Sequence, residues 1–113
     1  MKPEDRIRIQ HMIDAGEEAL SFTSNVTEEN FSKNRMLILS VIKDIEIIGE
    51  AATKISEETK LTYTHIPWKD IVGMRNRLIH GYFDVNIELI WNTIKSNLLP
   101  LIKSLKEILT TNK

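Results

Sequence analysis

Between residues 32 and 56 the apolar side chains recur every three or four positions. Ile38, Val41, Ile42, Ile45, Ile48, Gly49, Ala52 and Ile55 hold one stripe, and Leu37, Ile47 and Ala51 widen it. That period belongs to a helix, not to the alternation of a strand. So wide a stripe predicts burial on two sides, either at the centre of a bundle or shared between the helix's own core and a partner subunit. Gly49, Ala51 and Ala52 leave room for a second helix to approach closely. Glu46 and Glu50 share a face at i, i+4 amid this apolar surface, with Lys43 and Lys54 in reach for ordinary helix pairs, and read as a solvated face.

The remaining segments repeat the pattern. Residues 4 to 22 carry Ile9, Met12, Ile13, Gly16, Ala19 and Leu20 at helical intervals, with His11 beside the stripe as a boundary residue of no assigned role. Ser21 to Lys33 reads as a connection pinned by Phe22, Val26 and Phe31, in which Thr27-Glu28-Glu29-Asn30 can cap a short turn of helix. Residues 57 to 66 read as a polar connection, and Ile66-Pro67-Trp68 restarts a helix with proline at its preferred first position. Gly81 is a natural stop, and Asp84 or Asn86 can cap the next helix, which carries Ile87, Ile90, Trp91, Ile94 and Leu98. Pro100 predicts a kink or restart near Asn97 to Leu99, before Leu101, Ile102, Leu105, Ile108 and Leu109 complete the segment and Thr110 to Lys113 trail off. No alternating strand pattern, internal repeat or Gly-rich phosphate loop interrupts the series. The expected fold is all-α, an up-down bundle of four to five helices forming a single domain over residues 1–113.

Composition narrows the chemistry. The chain has no cysteine, which removes thiolate catalysis, disulfides and the common structural zinc sites together. His11, His65 and His80 lie far apart with no metal-binding repeat, so neither a metal nor another cofactor is expected. No apolar run approaches the roughly 18 residues of a membrane span, and no signal-type segment follows Met1-Lys2-Pro3, so a soluble cytoplasmic protein is expected. Fifteen basic against sixteen acidic side chains give a net charge of −1. A nucleic-acid partner therefore has to be held by a local patch, not by the field of the whole molecule.

One stretch carries polar chemistry that packing does not require: Gly73-Met74-Arg75-Asn76-Arg77-Leu78-Ile79-His80-Gly81-Tyr82. Arginine presents a planar fork of donors suited to a phosphate, and histidine exchanges a proton near neutral pH. Together they suffice for metal-independent RNA cleavage, in which a base activates the ribose 2′-hydroxyl and a cation stabilises the charge developing on phosphorus oxygens. On an ideal helix Arg75 and His80 stand roughly 140° apart, whereas Asn76 and His80 share a face. Arg75 and His80 converge only if the helix distorts or ends near His80, or if the arginine's length closes the gap. Tyr82 can then present its hydroxyl to the same pocket. Arg77 reads as a solvated charge, and Trp68 and Trp91 read as core. Beside catalysis these residues leave plainer roles open: His80 as a dipole partner at a helix end, or a His80 and Tyr82 pair that satisfies itself inside the bundle.

Arg75-Asn76-Arg77-Leu78-Ile79-His80-Gly81-Tyr82, with Ile48-Gly49-Glu50-Ala51-Ala52 and Ile66-Pro67-Trp68 upstream and Asp84-Val85-Asn86 and Ile90-Trp91 downstream, resembles the HepT-like toxins of the HEPN superfamily. The resemblance covers essentially the whole chain. It implies a helical homodimer whose interface cleft unites the motifs of both chains, with Arg75 and His80 as ribonuclease residues and Asn76 in support. It further implies that Tyr82 accepts AMP from a nucleotidyltransferase antitoxin, which silences the cleft. The function so implied is a metal-independent endoribonuclease toxin of a type II toxin-antitoxin pair, acting on tRNA or mRNA and engaging neither DNA nor membrane. The alternative is a non-catalytic HEPN module that binds a nucleotidyltransferase and a nucleotide through the same cleft.

Overall fold

The computed structural model describes residues 1–78 and 85–111. Within them the chain is all-α: α1 (Pro3–Phe22), α2 (Glu28–Lys33), α3 (Arg35–Lys54), α4 (Glu57–Thr62), α5 (Trp68–Leu78), α6 (Ile87–Thr93), a π-helical segment (Ile94–Leu98) and α7 (Leu99–Thr111). Three long rods carry the core: α1, α3 and the continuous run from α6 to α7.

Local signals set most of the boundaries. Proline at the first position and Glu4 and Asp5 in the first turn start α1. Side-chain oxygens of Thr27, Asn34, Ser56 and Asn86 accept backbone N–H groups at the starts of α2, α3, α4 and α6. The Ser56 cap explains why residues 57 to 66 contain a helix where polarity alone reads as a connection. Only one apolar residue of α4 is large, the exposed Leu61, so no hydrophobic stripe announces it. Asn25, at φ 62°, turns the chain after α1 in the left-handed region that asparagine tolerates.

Pro100 neither breaks nor restarts the last rod. It lacks a donor and would press on the carbonyl of Ser96, four residues earlier. The π-helical turn at Ile94–Leu98 widens the helix around that carbonyl, and the rod runs on through Leu99.

The wide stripe of α3 is buried as its period predicts, with Val41 and Ala52 fully enclosed and Ile45, Ile48 and Ile55 nearly so. One side packs on α1 and the other on α5. At Gly49 a Cβ would lie 3.6 Å from the Ile71 carbonyl, an ordinary contact distance, so α5 packs beside α3 there without depending on the glycine. Gly16 of α1 is tighter: a Cβ there would meet Ile102 at 2.9 Å. Phe31 is fully buried against Trp91, their ring centroids 5.2 Å apart, and Trp68 and Trp91 are both core residues, as expected.

Helices α1 and α3 run antiparallel, fastened at one end by a buried carboxylate. Asp5 is 1 % exposed and accepts three hydrogen bonds from the start of α4: Ser56 N (3.0 Å), Ser56 Oγ (2.6 Å) and Thr59 Oγ1 (2.6 Å). Burial by itself raises the pKa of this carboxyl. The hydrogen bonds from Ser56 and Thr59 favour its charged form more strongly, so the net direction is down. Among the described residues no helix is long and apolar enough to cross a membrane.

Candidate functional site

A cleft of about 710 Å³ lies along α3, walled by α1 on one side and α5 on the other. Side chains at helical spacing line it from each element. From α1 come Glu4, Ile7, Arg8 and His11; from α3 come Lys43, Glu46, Ile47, Glu50 and Lys54; from α5 come Val72, Arg75 and Asn76. Ile7, Ile47 and Val72 give it an apolar floor between charged rims.

Arg75 and Asn76 are exposed on the C-terminal part of α5 and face this cleft, while Met74 and Leu78 on the opposite side anchor the helix in the core. Among the described residues Arg75 makes no ion pair, so its guanidinium is available to an anion. Arg77 points elsewhere, its nearest carboxylate oxygen being that of Asp70 at 3.9 Å, with both side chains largely in solvent. That matches its reading as a solvated charge. His80 and Tyr82, the other two residues singled out in the sequence, lie outside the described residues, so the convergence of Arg75 with His80 stays an expectation.

The structure adds residues to the site that the sequence motif does not contain. Arg8, half-buried, donates from its guanidinium to the Lys54 carbonyl at 3.2 Å and so caps the end of α3. Lys54 pairs with Glu50 at 3.3 Å, as the spacing predicts. Lys43 makes no ion pair with Glu46, three residues on, or with any other carboxylate among the described residues, so the helix pair in reach for it does not form. His11 is exposed and lines the cleft. The signal for these residues was available as two faces, 4-7-8-11 on α1 and 43-46-47-50 on α3. What the sequence lacked was any sign that the two faces meet.

Beside the cleft, His11 and Ile47 also border a smaller cavity of about 230 Å³ that holds Asp14, Glu18 and Asp44. Asp44 of α3 is 1 % exposed, and neither carboxyl oxygen has a donor among the described residues. Burial pushes its pKa up to about 7, helped by a hydrogen bond to the Glu18 carboxyl and by that group's charge. The Asp44 carboxyl therefore keeps its proton up to about neutral pH while it faces Glu18. No group of three or more metal-ligating side chains with suitable geometry occurs among the described residues.

The sequence profile of the Ribonuclease HepT-like family matches residues 12–108, which include all of α3 and α5. The chain belongs to the HepT-like ribonuclease family. Among curated HepT-like relatives, a provisionally named RNase of Caldanaerobacter subterraneus subsp. tengcongensis is 36% identical over 105 residues, covering 93% of this chain and 94% of that one. Another provisionally named RNase, from Methanocaldococcus jannaschii, is 36% identical over 93 residues, 82% of this chain and 77% of the relative. A protein of Thermococcus cleftensis named probable ribonuclease HepT is 33% identical over 103 residues, covering 91% and 93% respectively. No solved structure matches the chain. The all-α architecture and the exposed Arg75 of α5, without an ion pair among the described residues, are the features this chain brings to its cleft.

Proposed function

We propose that this HepT-like protein is a metal-independent endoribonuclease toxin of a type II toxin-antitoxin pair. The observation that carries the reading is Arg75: a guanidinium on a rigid, core-anchored helix, exposed to a large cleft and without a carboxylate partner among the described residues. In the reaction the 2′-hydroxyl of the RNA loses its proton to a base and its oxygen bonds to the adjacent phosphorus. The 5′-oxygen leaves and takes up a proton. His80 supplies the proton transfer, Arg75 binds the non-bridging oxygens and stabilises their growing charge, and Asn76 orients the group beside it. Two copies of the chain share the cleft, which adds a second Arg75 to a molecule of near-neutral charge. Tyr82 accepts AMP from a nucleotidyltransferase antitoxin, placing phosphate charge and bulk where the RNA must lie.

The test is cleavage of total cellular RNA in the presence of a chelator by protein prepared without any antitoxin. Wild type is expected to give discrete products, and Arg75→Ala and His80→Ala to lose about 10²-fold or more in rate. Equal rates for wild type and His80→Ala would refute the catalytic assignment. If no protein cuts RNA and intact mass finds Tyr82 unmodified, the cleft is a binding module.

A further inference from the structure

The net charge of −1 poses a problem for a ribonuclease, because most of the affinity of a protein for RNA comes from neutralising phosphates. One arginine per chain is a small share of that work. The distribution of paired and unpaired cations within the cleft offers the rest. Lys54 is neutralised by Glu50. Lys43 of α3 and Arg8 of α1, like Arg75 of α5, line the cleft with no carboxylate within ion-pairing distance among the described residues. Arg8 spends one donor on the Lys54 carbonyl, which fixes the guanidinium at the rim, and its other N–H groups meet no acceptor among the described residues.

We infer that Lys43 and Arg8 are phosphate-binding residues that flank Arg75, so that the RNA backbone follows the cleft along α3. Their separation supports a path in preference to a single anion site. Arg8 sits level with Lys54, and Lys43 stands eleven residues earlier on the same helix, about 16 Å along its axis at helical rise. That span accommodates more than one backbone phosphate. Glu46 lies on the same face of α3, three residues from Lys43, and has no cation partner among the described residues. It opposes the anion. The arrangement keeps binding weak and local, consistent with substrate that must be released after cutting.

This inference rests on the proposed cleavage of RNA, and binding is measured so that the two can fail separately. The probe is a 2′-O-methyl RNA oligonucleotide, which lacks the attacking hydroxyl and cannot be cut. Its affinity is followed by fluorescence anisotropy across a salt series. Lys43→Gln and Arg8→Gln are each expected to weaken binding about three- to tenfold and to flatten the plot of log K against log salt by about 0.7. Glu46→Gln is expected to tighten binding. On a cleavable RNA, Lys43→Gln should raise KM with kcat unchanged, the signature of lost ground-state binding. Lys43 is exposed and makes no ion pair among the described residues, so its variant keeps the fold even if Arg8→Gln loosens the end of α3. If wild type cuts RNA and Lys43→Gln and Arg8→Gln bind the probe as wild type does, with the same salt slope, the phosphate path is wrong and the cleavage reading stands. If wild type neither binds the probe nor cuts RNA, both fall.

Discussion

Replacing Asp44 by asparagine should stabilise this protein at alkaline pH, the reverse of what removing a buried carboxylate usually does. In the fold the Asp44 carboxyl is sealed from solvent, faces Glu18 across the α1/α3 seam and receives no donor among the described residues. Its pKa stands at about 7 against an ordinary 3.8. Between those values the native state holds a proton that the unfolded chain releases, so the contribution of Asp44 to stability is greatest below about pH 4 and falls as pH rises to about 7. A displacement of about three pH units is worth about 4 kcal/mol, less whatever the site relaxes. His11 and Asp14 face the same cavity from α1, and neither supplies a hydrogen bond to the carboxyl. An asparagine amide fits the same space and donates to Glu18 at every pH, as protonated Asp44 does only below neutrality. Thermal unfolding of wild type and Asp44→Asn at pH 5 and pH 8 measures the difference. The variant's advantage over wild type should be larger at pH 8 than at pH 5 by about 10 °C, because pH 5 lies early in the window over which Asp44 loses its contribution and pH 8 lies beyond it. A lower Tm at pH 8, or the same offset at both pH values, would refute a proton held by Asp44 at this seam.

The Asp5 latch behaves in the opposite sense. Its pKa is lowered, so its contribution is present above the ordinary carboxylate range and is lost as pH falls through and below it. Asp5→Ala strands the Ser56 N–H and two hydroxyls and should cost about 3 kcal/mol in urea unfolding at pH 7, with the deficit shrinking towards pH 2. Gly16→Ala drives a methyl into Ile102 and should cost about 1 kcal/mol despite better helix propensity, part of it recovered when combined with Ile102→Val. Arg75→Lys keeps the charge but loses the planar fork, so cleavage should slow about tenfold or more while Tm stays unchanged, because the side chain is exposed and unpaired among the described residues.

The helices were legible in the chain because each is written in neighbouring residues. The three- and four-residue recurrence of apolar side chains from Ile38 to Ile55 places α3, and caps such as Thr27, Asn34 and Asn86 need only a backbone N–H three residues on. The Arg75 and Asn76 pair was likewise visible as polar chemistry on a helix that packing did not call for. Where local signals were read incompletely the outcome differs in detail. Ser56 starts a helix inside a polar stretch, and Pro100 is preceded by a π turn through which the helical run continues without a restart.

What the tertiary structure decided are the relations between residues far apart in sequence. Asp5 and Ser56 are 51 positions apart, Arg8 and Lys54 are 46 apart, and no periodicity connects either pair. Asp44 reads in the sequence as an ordinary acid next to Lys43. Only the packing of α1 on α3 buries it against Glu18 and shifts its proton. The cleft has the same origin. Three helices, α1, α3 and α5, each contribute one face to it, and which faces meet is set by how they pack on one another. Side-chain spacing along a helix is a local, short-range property and therefore readable from the chain. The burial, pairing and convergence that turn those faces into a site come from contacts between helices, which exist only once the chain has folded.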